Sequence, residues 1–301
     1  MKSLLTAFIA FHCLTAFAQL PKVCSGTIQR FSNFKSAFIQ SRNVDVWLPA
    51  NYSKEKKYAV LYMHDGQMLF DSTITWNKQE WQVDEVMTAL MNANKIIPTI
   101  VVGIWNSGVN RHSDYFPETP INYIPSTIKD SLIKNELQGK PQANNYLKFL
   151  VTELKPFIDS SFNTYADAQH TFIAGSSMGG LISWYAISEY PTIFGGAACL
   201  STHWVGSIKD NSGIIPNAFV QYAKEKMSDA KTHCLYFDYG TTTLDSLYKP
   251  HQQKINAVMK AKGFSFNKNW ITREFKGEPH TEIAWAKRLH IPLLFLLKKS
   301  N

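Results

Sequence analysis

Gly175-Ser176-Ser177-Met178-Gly179-Gly180 follows a compact apolar run, residues 171–174, and opens an apolar stretch of helical character, residues 178–188. The order strand, tight turn, helix decides the reading. A serine on such a turn stands clear of the sheet with its Oγ exposed, provided the neighbouring side chains are small. Gly175 and Gly179 lie two positions either side of Ser177, a flanking that the competing Ser176 lacks. The helix N-terminus behind the serine favours negative charge developing beside it. Ser177 is the candidate nucleophile, and an α/β-hydrolase fold is the expected architecture.

Outward from this turn, strand-like and helix-like segments alternate. Residues 58–63 and 97–105 are continuous apolar runs, the pattern of strands buried on both faces of a parallel sheet. Residues 81–92 between them repeat Val83, Val86, Met87 and Leu90 at helical spacing. Downstream, helices are expected at 145–157, 178–188, 218–227 and 252–261, strands at 171–174, 193–200, 234–239 and 269–275, and a closing helix at 283–297. Residues 27–34 and 37–48 read as an antiparallel hairpin ahead of them. The sum is a mostly parallel central sheet of about eight strands with helices on both faces. Residues 19–301 are expected to form a single domain. Residues 106–143, with Pro117, Pro120, Pro125 and Pro141, break the rhythm and read as a lid-like insertion with a weak helical piece at 126–137.

A serine hydroxyl needs a base, and the base needs an acid to orient it; in this architecture the chain order is serine, acid, histidine. His280 stands in the turn Gly277-Glu278-Pro279-His280, between the last strand and the last helix, and is the expected base. His203, His233 and His251 are the other histidines at plausible positions. Asp245 lies on the loop after the penultimate strand and is the expected acid, with Asp238, inside that strand, as the competitor. The oxyanion of acyl transfer needs two donors. The Met178 N–H follows the nucleophile, and the Gln67 N–H belongs to the loop His64-Asp65-Gly66-Gln67 after the third strand. His64 and Asp65 come without an HExxH or comparable ligand set, so no metal is assigned.

The 301 residues carry a formal net charge of +8, yet no basic stripe with interleaved aromatics appears, which argues against a nucleic-acid partner. Lys2 precedes an apolar run, residues 4–15, and Ala16-Phe17-Ala18 offers small residues at the positions of a cleavage site. Residues 1–18 are therefore expected to be a signal peptide, with the mature chain exported to the periplasm or the medium and not stably inserted in a membrane. Lipid attachment at Cys13 or Cys24 is the less favoured route, since neither cysteine follows the small residues it requires. Beyond Cys13 the cysteines are Cys24, Cys199 and Cys234, in no disulfide framework or metal-ligand spacing; a Cys199–Cys234 pair stays open.

Val46-Trp47-Leu48-Pro49, Tyr62-Met63-His64-Asp65-Gly66-Gln67, residues 111–117, the elbow, Asp238-Tyr239-Gly240-Thr241 and residues 277–285 resemble the esterase family grouped around enterochelin esterase. That family includes feruloyl esterases of carbohydrate esterase family one, S-formylglutathione hydrolase and the mycolyltransferases. The resemblance implies cofactor-free hydrolysis of a carboxylic ester through an acyl-serine, with oxyanion donation from Gln67 and with Asp245 and His280 on the matching loops. Among its substrates, acylated carbohydrate or phenolic esters are expected here, small or oligosaccharide in size. A siderophore lactone is the alternative, and a binding module without catalysis a further one. Trp105, Arg111, Tyr115, His203 and Trp204 are the expected substrate contacts. Trp76, Trp81 and Phe116 are further aromatic residues near the rim.

Overall fold

The computed structural model describes residues 19–210 and 212–299; the expected signal peptide, residues 1–18, lies outside them. Within them, eight strands form one sheet: β1 (Thr27–Phe34), β2 (Arg42–Leu48), β3 (Ala59–His64), β4 (Thr99–Ile104), β5 (Thr171–Ser176), β6 (Gly196–Leu200), β7 (Cys234–Gly240) and β8 (Trp270–Phe275). Their spatial order is β1-β2-β4-β3-β5-β6-β7-β8. β2 pairs antiparallel with β1 and with β4, and every pairing from β4 to β8 is parallel. The expected hairpin is present, but residues 37–41 are not part of its second strand.

β3 explains why its sequence does not alternate between polar and apolar. Val60 and Tyr62 enter one core and Ala59, Leu61 and Met63 the other, so both faces of the strand are dry. Trp184, Tyr185, Trp204 and Phe219 fill the first core, while Trp81, Met87, Trp285 and Leu293 fill the second. The helix after the elbow, Met178–Glu189, is buried at every position from Met178 to Ser188. A helix apolar on all sides belongs between other layers rather than on a surface.

The insertion has the helical piece expected of it, and more regular structure than a loop besides. It folds as a short helix Arg111–Tyr115, a 3-10 turn Thr119–Tyr123 and a helix Ser126–Asn135, and it carries Tyr115, Phe116, Ile121 and Leu132 into the first core. The expected helix at 145–157 is broken by a π-turn, Leu150–Leu154, between Ala143–Phe149 and Lys155–Ser161. Cys24, Cys199 and Cys234 are free thiols, so the open pairing of Cys199 with Cys234 is not made. Among the described residues no helix is long and apolar enough to cross a membrane.

Candidate active site

Five loops at the carboxyl ends of β3, β5, β6, β7 and β8 converge, where open α/β sheets present their ligands. Ser177 occupies the bend after β5 with φ 57° and ψ −122°, a backbone strain typical of functional turns. Its N–H donates to the Leu200 carbonyl at 2.9 Å, and its carbonyl accepts from the Leu181 and His203 N–H groups. A methyl on Gly175 would sit 2.7 Å from the Gly179 backbone, and one on Gly179 would lie 3.3 Å from both His64 Cβ and Asp65 Oδ2. The first glycine lets the bend close and the second lets the β3 loop reach it. Ser176, by contrast, is the buried last residue of β5.

The expected acid and base arrive from opposite sides of a tightly packed junction. Asp245 lies on the 3-10 turn Thr243–Leu247 after β7, and His280 in the turn before the helix Glu282–Arg288. The Thr241 and Thr242 N–H groups donate to the Glu278 carbonyl, and a Cβ on Gly240 would meet that oxygen at 2.1 Å. His280 Nδ1 lies 2.5 Å from Asp245 Oδ1. Asp245 Oδ2 accepts from the Ser201 hydroxyl and the Gly240 N–H, each at 2.5 Å. Burial alone would raise the Asp245 pKa, but the hydrogen bonds from His280, Ser201 and Gly240 and the charge of His280 hold it below the usual carboxylate value. With Asp245 ionised, Nδ1 carries the proton and Nε2 is left to accept one. The competing Asp238 faces Arg288 at 3.0 Å and accepts from Tyr236 and the Ser201 N–H; it has no contact with His280.

Gln67 sits in the 3-10 turn Gly66–Met68, entered through Asp65 in a left-handed conformation, and Met178 is the first residue of its helix. First-turn N–H groups have no acceptor within their own helix, so both amides are available to a ligand. Asp65 fixes the turn to the insertion. Its two carboxylate oxygens take a fork of 2.7 Å bonds from Arg111 Nε and Nη2, and Asn106 Nδ2 adds a third, also 2.7 Å. His64 is buried, with Nδ1 2.7 Å from the Tyr146 hydroxyl, and burial pulls its pKa down to about 3.

Two cavities of about 510 Å³ flank the bend. The first is lined by Ser177, His280, Gln67, Trp76, Trp81 and Trp285, with Arg111 at its edge, and the second by Met178, His203, Val109, Ile208 and Leu244, again with Arg111. The sequence profile of the family described as "Putative esterase" matches residues 36–289. The chain belongs to this esterase family. It is 24% identical over 222 residues to an uncharacterized protein of Bacillus subtilis, covering 73% of this chain and 75% of that one. It is 27% identical over 211 residues to an endo-1,4-beta-xylanase/feruloyl esterase of Xylanibacter ruminicola, covering 66% of this chain and 25% of that longer one. In fold it resembles a ferulic acid esterase (TM-score 0.66, 22% identity, 91% of this chain and 98% of that one). It also resembles the enterobactin esterase of Shigella flexneri (TM-score 0.66, 17% identity, 92% and 60%).

Within this esterase, three of the five expected substrate contacts lie away from both cavities. Tyr115 and Trp204 are core residues, Tyr115 tilted against Tyr146 and Trp204 edge-on to Trp184. Trp105 turns back toward the sheet edge, its indole N–H donating to Asp45 and its ring under the Arg30 guanidinium. Arg111 reaches both cavities but is committed to Asp65, and His203 lines the second cavity with Nδ1 2.9 Å from the Tyr248 hydroxyl. Sequence reasoning missed Ser201, Tyr248 and Arg288. Ser201 directly follows a buried strand, and Tyr248 comes three residues after the acid, the only signals these positions offered.

Proposed function

We propose that this esterase hydrolyses carboxylic esters of phenolic acids or of acylated sugars through an acyl-serine intermediate. Ser177 is the nucleophile, His280 the general base, Asp245 its orienting acid, and the Gln67 and Met178 N–H groups the oxyanion donors. The observation that carries the reading is the 2.5 Å His280–Asp245 pair opening onto the same cavity as the strained Ser177. His280 Nε2 takes the serine proton as Oγ attacks the carbonyl carbon, and the two amides receive the resulting oxyanion. His280 returns the proton to the departing alcohol, and water then repeats the cycle on the acyl-serine. Hydrogen bonds of this kind often tighten only once substrate is bound.

Three indoles support an aromatic or sugar ring as the recognised group. Trp76, 82% exposed, overhangs a cavity whose wall includes Trp81 and Trp285, their rings 5.4 Å apart. The feruloyl esterase relative agrees with this reading. A polyanionic catecholate lactone fits less well. Among the described residues of this cavity Arg111 is the only lysine or arginine, Asp65 neutralises it, and Glu282 adds negative charge. The apolar run before Ala16-Phe17-Ala18 supports export to the periplasm or the medium.

A fluorophosphonate probe tests the nucleophile, with labelling of wild type and none of Ser177→Ala as the expected result. Equal labelling of both would move the nucleophile elsewhere. Hydrolysis of methyl ferulate, an acetylated xylo-oligosaccharide and a catecholate trilactone ranks the substrates. Turnover of the trilactone alone would overturn the substrate class.

A further inference from the structure

Tyr248 has no place in the triad, yet the Ser177 side chain lies close enough to its phenol to oppose the effect of burial on it. The residue is fully buried and follows the turn that carries Asp245, its N–H donating to the Asp245 carbonyl at 3.0 Å. Its ring stands edge-on to His280 at 5.9 Å and to His203 at 6.0 Å. His203 Nδ1 lies 2.9 Å from the phenolic oxygen, while the His203 N–H donates to the Ser177 carbonyl at 3.2 Å. One histidine therefore grips both the nucleophile's backbone and the phenol beside its side chain.

The direction of these hydrogen bonds follows from counting protons. A phenol has one hydrogen to give, and it has two candidate acceptors: His203 Nδ1, 2.9 Å away, and the nearby Ser177 hydroxyl. For the serine proton to reach His280, the Oγ lone pair on the Tyr248 side must accept rather than donate. A consistent chain then runs from His203 Nδ1–H to the Tyr248 oxygen, from the Tyr248 hydroxyl to Ser177 Oγ, and from Ser177 to His280 Nε2. Each hydroxyl both donates and accepts, which strengthens every link. Burial pulls the His203 pKa down to about 3 and pushes that of Tyr248 well above its ordinary value. Neither group changes charge during turnover, as fixed donors require.

We propose that Tyr248 is a catalytic residue that donates a hydrogen bond to Ser177 Oγ, with His203 as the positioning residue that orients the phenol. The inference rests on Ser177 being the nucleophile. As the serine proton passes to His280, the Oγ electron pair bonds to the carbonyl carbon and the π pair moves onto the carbonyl oxygen. Tyr248 keeps its proton throughout and stabilises the charge that Oγ carries in between. When the acyl-serine breaks down, the bond from carbon to Oγ is cleaved, Oγ recovers its proton from His280, and the same donor eases its departure.

The test compares wild type, Tyr248→Phe and His203→Leu for the rate of fluorophosphonate labelling and for p-nitrophenyl acetate hydrolysis. Tyr248→Phe is expected to keep the stoichiometry of labelling. Its labelling rate constant and kcat fall ~10- to 100-fold, the loss of one hydrogen bond to a developing charge, with KM little changed. A purely structural role would instead lower the fraction of protein labelled and leave the rate constant of the remainder intact. His203→Leu is expected to lower the same rate constant ~3- to 10-fold, and it decides the matter if Tyr248→Phe does not fold. An unchanged or faster rate constant in the folded variants would overturn the proposal, because the phenol would then be donating to His203. Failure of wild type to label at Ser177 is a distinct result and would remove the nucleophile assignment beneath it.

Discussion

Ser201 is the residue on which the buried polar groups behind His280 depend. Its hydroxyl donates to Asp245 Oδ2 at 2.5 Å and accepts from the Trp285 indole at 2.9 Å and from Arg288 Nη2 at 3.0 Å. Its N–H donates to Asp238, which in turn pairs with Arg288. A fully satisfied buried network is rigid, and a partly satisfied one is costly. Ser201→Ala removes a donor from Asp245 and an acceptor from Trp285 and Arg288, while the Gly240 N–H and Asp238 remain as partners. We expect kcat to fall about 10-fold and unfolding stability to fall by about 1–3 kcal/mol. Steady-state kinetics and urea denaturation check the two effects, and a variant with wild-type kcat would show that the Gly240 N–H and His280 hold the carboxylate without Ser201. The sequence around Ser201 marks only the end of a buried strand, because the partners of its hydroxyl lie 44, 84 and 87 positions away.

At the scale of elements, the sequence reads well where a single segment contains its own signal. The apolar runs of β3 and β4, the glycine-flanked bend and the helix after it are local patterns, and the structure has all of them. The aromatic residues of the insertion and of the β6 loop were harder, since a rim and a core require the same side chains. Only the packing of Tyr115 on Tyr146 and of Trp204 on Trp184 separates the two. The π-turn at Leu150–Leu154 stands just before Pro156, which lacks the N–H for a regular helical bond to residue 152 and so breaks the expected helix. The most consequential contact between elements is the Arg111–Asp65 fork, which ties the helix Arg111–Tyr115 to the turn bearing the Gln67 N–H. Burial would raise the Asp65 pKa, but Arg111 and Asn106 together hold it below its ordinary value. A lysine cannot reproduce a planar fork. Arg111→Lys is therefore expected to lower kcat about 10-fold through a loosened oxyanion turn, and Asp65→Asn to do the same. If both act through this one contact, the double variant is no slower than either single one, whereas additive losses in kcat would mean two independent roles.

The whole molecule carries a formal charge of +8, yet one region concentrates the opposite sign. Asp71, Glu80, Asp84 and Glu85 gather where residues 22–24 run past the start of the helix Val83–Asn92. Asp71 accepts from the Lys22 N–H at 2.8 Å and Asp84 from the Cys24 N–H at 2.6 Å. These bonds fasten the segment leading into β1, but they leave Glu85 beside the Asp84 carboxylate, with only a backbone hydrogen bond to offset the repulsion. Burial first, and then the Asp84 carboxylate, push the Glu85 pKa up to about 7. In the unfolded chain a glutamate titrates near 4.3. The folded state therefore binds this proton more tightly, so its stabilising effect is complete below about pH 4 and is lost as pH rises from there through 7. Glu85→Gln keeps the shape and removes the charge. Its Tm should exceed that of wild type at pH 8 and approach it at pH 4, both measured at fixed ionic strength. A difference in Tm that is the same at the two pH values would assign the effect to packing rather than to the proton.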